Sequence, residues 1–174
     1  DPLNVASIYG TDALRMALVA GNSAGNDIII SEEKIKGYRN FANKIYNISR
    51  FLLLNIKDFS LQKPKLSKKD KQILKEFIGV KKKITFYLDN YRFSLAAETL
   101  YHYLWHRYAD KILEEMKPKL KNAKEKKEAE YILVSIFRDS LILLHPFMPF
   151  LSEHLWQKIP FNKKKPLIIE KWPL

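Results

Sequence analysis

The chain has 174 residues, enough for one domain. Its 47% apolar content supplies a real core, and a chain this size buries roughly 70% of its unfolded surface. It holds no cysteine, which excludes disulfides and thiolate metal sites. Thirty-one Lys+Arg against 19 Asp+Glu give a formal charge of +12, an excess that favours a polyanionic partner such as nucleic acid or an acidic membrane surface.

The pattern predicts helix almost throughout, with five glycines as punctuation. A short helical turn is expected over 4–9, closed by Gly10, and then a helix capped by Thr11 or Asp12 that runs to about Ala20. Residues 21–30 read as a loop. Ser31 is a good N-cap, with Glu32 and Glu33 in the first turn of a helix that reaches about Ile56. A Pro- and Lys-bearing linker covers 57–66. Ser67 with Asp70 three positions on resembles a capping box, with Asp in place of Glu, opening a helix to about Tyr91.

The next helix spans about Ser94 to Met116 and is expected to end near Lys117, ahead of Pro118. A basic connector leads to a helix over 124–144, stopped by His145-Pro146, and a short one follows over 150–159. In the tail, Leu167 to Ile169 suggest a lone strand. Long helices on short connectors predict an all-α fold, an antiparallel helical bundle with a short irregular tail. No apolar run reaches the roughly 18–20 residues that span a bilayer, and no basic-then-apolar leader opens the chain, so a soluble cytoplasmic protein is expected.

Catalytic signatures are missing: no Gly-rich phosphate loop, nucleophile elbow or zinc-protease helix. His102, His106 and Asp110 share one helix face at a spacing that two metal-binding histidines can use. The plainer reading is a polar stripe beside the apolar Leu95, Leu104, Tyr108 and Ile112, so no metal is expected. Glu32-Glu33 and Glu114-Glu115 read as surface charge near helix ends.

Residues 38–54 are more informative. On a helical projection Tyr38, Phe41, Ile45, Ile48 and Leu52 form the core stripe, and Asn40, Asn43, Lys44, Asn47, Arg50 and Phe51 fall on the opposite side. Asparagine is an indifferent helix former, and three along one face carry a propensity penalty. Amide, guanidinium and ammonium groups on one ridge suit base edges and phosphates, and an exposed aromatic suits splayed single-stranded bases. The alternative is that Phe51 packs on a neighbouring helix while the asparagines bond across the bundle.

The run Ser31 to Phe51 (SEEKIKGYRNFANKIYNISRF) resembles the helix that opens the anticodon-binding bundle of valyl-tRNA synthetases. Isoleucine and leucine relatives carry a similar helix with a different side-chain run. Tyr9 to Arg15 (YGTDALR) is similar to the stretch after the KMSKS loop of class I synthetases. Leu144 to Trp156 (LHPFMPFLSEHLW) looks like the late-bundle signature of the valine, isoleucine and leucine branch. Phe93 to Trp105 (FSLAAETLYHYLW), with Lys117-Pro118, fits the valyl pattern in matching order. The middle, 57–90, matches nothing specific.

That resemblance implies a larger enzyme with a HIGH- and KMSKS-bearing catalytic domain, ATP- and Mg-dependent activation of valine, and an editing domain. It also implies that this chain is a fragment, its matches following the family's order, that holds the tRNA(Val) anticodon without a catalytic centre of its own. Residues 1–25 are expected to connect to the catalytic domain, 26–159 to form the anticodon-binding bundle, and 160–174 to lead onward as a tail. A monomer is the simplest expectation, with tRNA(Val) and the catalytic and editing domains as partners. An isoleucyl or leucyl specificity and a helical protein-docking module are the competing readings.

Within the implied site, Phe51 is assigned as a stacking platform for an anticodon base. Asn43, Asn47 and Arg50 are assigned to base edges or sugars, and Lys44 and Arg39 to phosphates. The lysines of Lys63 to Lys71, Lys81 to Lys83 and Lys117 to Lys127 are expected to add diffuse attraction to RNA.

Overall fold

In the computed structural model, residues 1–22, 30–56, 62–159 and 165–173 are described. They form α1 (Pro2–Tyr9), α2 (Thr11–Val19), α3 (Glu32–Asn55), α4 (Lys68–Asp89), α5 (Phe93–His102), a π-helical segment (Tyr103–Ile112), α6 (Leu113–Lys121), α7 (Lys126–Leu144), α8 (Pro149–Trp156) and a 3₁₀ turn (Leu167–Ile169). No strand occurs among the described residues. Most of the loop expected over 21–30, half of the linker 57–66 and the start of the tail lie outside them.

Three consecutive elements, α5, the π segment and α6, run without a break from Phe93 to Lys121 as one long rod. Its inner face buries Leu100, Leu104, Tyr108, Ile112 and Met116, whereas Leu95, expected on the same stripe, is 41% exposed. The rod packs α3 on one side and α4 on another, while α7 lies against α4, α5 and α6. At the centre, the buried Tyr108 hydroxyl donates to the Leu133 carbonyl at 2.7 Å, and Phe77 stacks on Tyr103 at 5.1 Å.

The expected caps of α3 and α4 form. Ser31 Oγ accepts from the Lys34 amide at 3.2 Å. Ser67 Oγ accepts from the Asp70 amide at 3.1 Å and donates to Asp70 Oδ2 at 2.8 Å. Satisfying an orphan amide in this way contributes about 1 kcal/mol per cap.

Three local expectations are corrected. The rod does not stop before Pro118, which sits inside α6. Beyond it Lys119 Nζ reaches Asp70 Oδ1 at 2.9 Å, a tie to α4 that works against the cost of the proline's missing N–H. Asp12 does not cap α2, whose N-cap is Gly10 at φ 93°. Its carboxylate accepts the amides of Leu151 at 2.6 Å and Phe150 at 3.4 Å, and so caps α8 from across the bundle. Leu167 to Ile169 make a 3₁₀ turn in place of a strand. Leu167 is buried there and its amide donates to Glu153 Oε2 at 2.8 Å.

Charged groups also join the helices. Arg107 grips Glu76 of α4 through two bonds, at 2.7 and 2.8 Å. Lys81 of α4 meets Asp139 of α7 at 2.8 Å with little exposure on either side.

Candidate functional site

Beside the rod, α3 does not close completely. A groove of about 480 Å³ opens between Asn40, Asn43, Lys44, Asn47 and Phe51 on the α3 wall and Asp110, Glu114 and Lys117 on the rod wall. Ile48, Ala109 and Leu113 form its floor. The α3 residues recur at helical spacing, so one stripe of α3 supplies the whole wall.

Four of the six residues singled out from the sequence therefore meet in one place: Asn43, Lys44, Asn47 and Phe51. Arg39 and Arg50 do not line the groove; both are exposed. On the helical projection they sit together at one edge of the stripe. Among the described residues neither forms an ion pair.

Asn43 and Asn47 are exposed, and Asn40 with them. None of the three makes a side-chain hydrogen bond to another described residue, so the asparagines do not bond across the described bundle. Phe51 is half-buried, with Lys117 Nζ 5.5 Å from its ring centroid. Its side chain packs partly against the core and partly lines the groove.

Lys44 is engaged within the protein. Its Nζ lies 2.6 Å from Asp110 Oδ1 and 4.4 Å over the Trp105 ring. On the opposite wall Lys117 pairs with Glu114 at 2.6 Å. Both ammonium groups are held beside the opening, and each can exchange a carboxylate for a phosphate at modest cost, since exposed ion pairs contribute about 0–1 kcal/mol.

The histidine stripe is realised, with His102 and His106 rings stacked at 5.7 Å and His106 Nδ1 3.7 Å from Asp110 Oδ2. No group of three metal-ligating side chains occurs among the described residues.

The rod wall was invisible from sequence. Asp110, Glu114 and Lys117 lie more than 50 residues from α3, and only the packing of the rod on α3 brings them opposite the asparagines. Nothing in the apolar pattern marks the π segment, in which the Leu113 amide bonds five residues back to Tyr108. Such segments are frequent at functional sites.

Residues 70–174 match the family model described as the anticodon-binding domain of tRNA ligase. The chain belongs to this family. Along 99% of its length it is similar to valine–tRNA ligases, with 37% identity to that of Carboxydothermus hydrogenoformans, 40% to that of Thermotoga maritima and 41% to that of Pelagibacter ubique. It spans about a fifth of the length of these curated relatives.

The fold of this anticodon-binding domain also occurs in solved synthetases. A LeuRS–tRNA–LeuAMS ternary complex from Agrobacterium radiobacter K84 superposes with a TM-score of 0.75 at 20% identity, over 99% of this chain and 20% of that one. The apo methionyl-tRNA synthetase of Mycobacterium tuberculosis gives 0.71 at 18%, over 96% and 38%.

Proposed function

We propose that this domain holds the anticodon of tRNA(Val) for a valine–tRNA ligase, and that the groove between α3 and the rod takes anticodon bases. The observation that carries the reading is the α3 wall: amides of Asn40, Asn43 and Asn47 without side-chain bonds among the described residues, ending on the half-open Phe51 ring. Amides bond base edges, and an aromatic face stacks a base whatever its identity.

Phe51 is the stacking platform in this reading. Asn43 and Asn47 meet base edges or sugars, with Arg50 at the rim. Lys44, released from Asp110, and Arg39 meet phosphates. Valine codons are GUN, so valine anticodons share adenine and cytosine after a variable first base, and those two bases are the ones to be read.

Attachment of valine, with its ATP and Mg, belongs in this reading to catalytic and editing domains of the same polypeptide. The sequence holds no Gly-rich phosphate loop, which fits a site for ATP lying elsewhere in the polypeptide. A monomer working in the cytoplasm completes the proposal. No helix among the described residues is long and apolar enough to cross a membrane.

The test is binding to a valine tRNA transcript and to one with its middle anticodon adenine replaced, across a salt series. Preference for the intact anticodon that persists as salt rises supports base reading in the groove. Preference for an isoleucine or leucine anticodon reassigns the specificity. Equal binding to both transcripts, displaced by acidic peptides, points to a protein-docking module and rejects the reading.

A further inference from the structure

We propose that the outer face of α4 is a second RNA contact, tracking sugar–phosphate backbone away from the anticodon groove; the identity of the partner rests on the tRNA reading above. Lys68, Lys71, Lys75 and Lys82 follow one another at spacings of three, four and seven, which places them on one face of α4. All four are exposed. They span about 21 Å at 1.5 Å per residue.

The lysines at the edges of the helix behave differently. Lys69 pairs with Glu115 and Lys81 with Asp139. None of the four on the outer face forms an ion pair with a described residue. The face is unpartnered within the bundle too, because α4 packs through Ile73, Phe77 and Ile84 on its other side.

This face is not arranged for the stability of the helix. Like charges three and four residues apart weaken it. Gly79 lies in the same stripe, between Lys75 and Lys82, and glycine is a poor residue for a helix interior. Packing does not require it: a Cβ there would meet nothing within 4 Å. Its φ is not positive either, so no turn requires it.

A polyanion resolves both features. Phosphates neutralise the lysine row, whose successive rises of about 4.5, 6 and 10.5 Å spread the ammonium groups along one strand of backbone. Bare backbone at Gly79 lets a ribose or phosphate lie against the helix, the close approach that glycine permits. The stripe ends on Phe86, which is 55% exposed and offers an aromatic face. The surface lies on α4, whereas the groove is built from α3 and the rod, so each can be removed without the other.

The experiment measures binding of the protein to tRNA across a salt series for three forms: the parent, Gly79→Glu, and the combined Lys71→Gln, Lys75→Gln and Lys82→Gln. Each phosphate contact adds about 0.7–0.9 to the log–log salt slope, so the triple variant is expected to flatten the slope by about 2. Gly79→Glu is expected to weaken binding several-fold with the melting temperature unchanged or raised, since the site is open. Parental slope and affinity in both variants would overturn the proposal even if anticodon preference persists. Competition by polyglutamate as effective as by RNA of equal charge also overturns it. Loss of anticodon preference in the parent, with slopes still falling in the variants, keeps this surface and rejects the groove reading instead.

Discussion

Lys119, one residue beyond Pro118, places its Nζ 2.9 Å from Oδ1 of the fully buried Asp70, joining the last turn of the rod to the first turn of α4. The same carboxylate accepts from Ser67 Oγ. Burial pushes the Asp70 carboxyl up, but the bonds from Lys119 and Ser67 outweigh it, and the group is held below its ordinary 3.8.

Lys119→Met should therefore cost about 2–3 kcal/mol at neutral pH, below the full cost of orphaning a buried charge because the lysine is partly exposed. A carboxyl with a depressed folded pKa stabilises fully above its unfolded value and loses that contribution as pH falls through the folded one. Urea midpoints of parent and variant should accordingly converge below pH 3.8. A gap as wide in acid as at neutrality would show that Asp70 is not the group Lys119 serves.

Asp12 has the opposite sign. Desolvation raises its pKa more than the amides of Leu151 and Phe150 lower it, so ionisation is less favourable in the folded chain than in the unfolded one. Asp12→Ala should cost about 1 kcal/mol, the loss of an N-cap. Asp12→Asn should cost less, since asparagine also caps and removes the buried charge. A carboxyl raised on folding stabilises fully below its unfolded pKa and loses that contribution as pH rises through the folded one. The Asn variant should thus gain on the parent over that rise, read from thermal melts at stepped pH.

Phe51→Ala should weaken tRNA binding by roughly 5- to 150-fold, the loss of about 1–3 kcal/mol of base stacking. Circular dichroism should show the helices retained, because Phe51 is only half-buried and Phe41, Ile45, Ile48 and Leu52 keep the α3 core. Undiminished affinity in a folded variant would remove Phe51 as the platform.

The α3 helix was legible because its signals agree: a serine cap, acidic first turn and one apolar stripe mark both its bounds and its buried face. Ser67 and Asp70 mark the start of α4 for the same reason. Where a local rule met a distant partner, the rule lost. Pro118 signals a helix end, yet the Asp70 tie carries the helix past it; Asp12 looks like a local cap, yet serves α8, 138 residues away. The site divides likewise. Asn43, Asn47 and Phe51 follow from one helix's periodicity, whereas Asp110, Glu114 and Lys117 require knowing how the rod lies on α3.

Lys81 and Asp139 give the last prediction. Their side chains are 9% and 20% exposed and meet at 2.8 Å between α4 and α7, with the Phe77 ring 5.7 Å from the ammonium. Asp139→Ala leaves that ammonium with only the weak attraction of the ring, and should cost about 3 kcal/mol or more. Replacing both, Lys81→Met with Asp139→Leu, removes the desolvation of two charges along with their attraction, and should be near neutral or stabilising by about 1 kcal/mol or more. Denaturant unfolding of the two singles and the double separates these terms. A double variant as unstable as Asp139→Ala would mean that the pair itself, rather than the orphaned lysine, determines how α4 sits on α7.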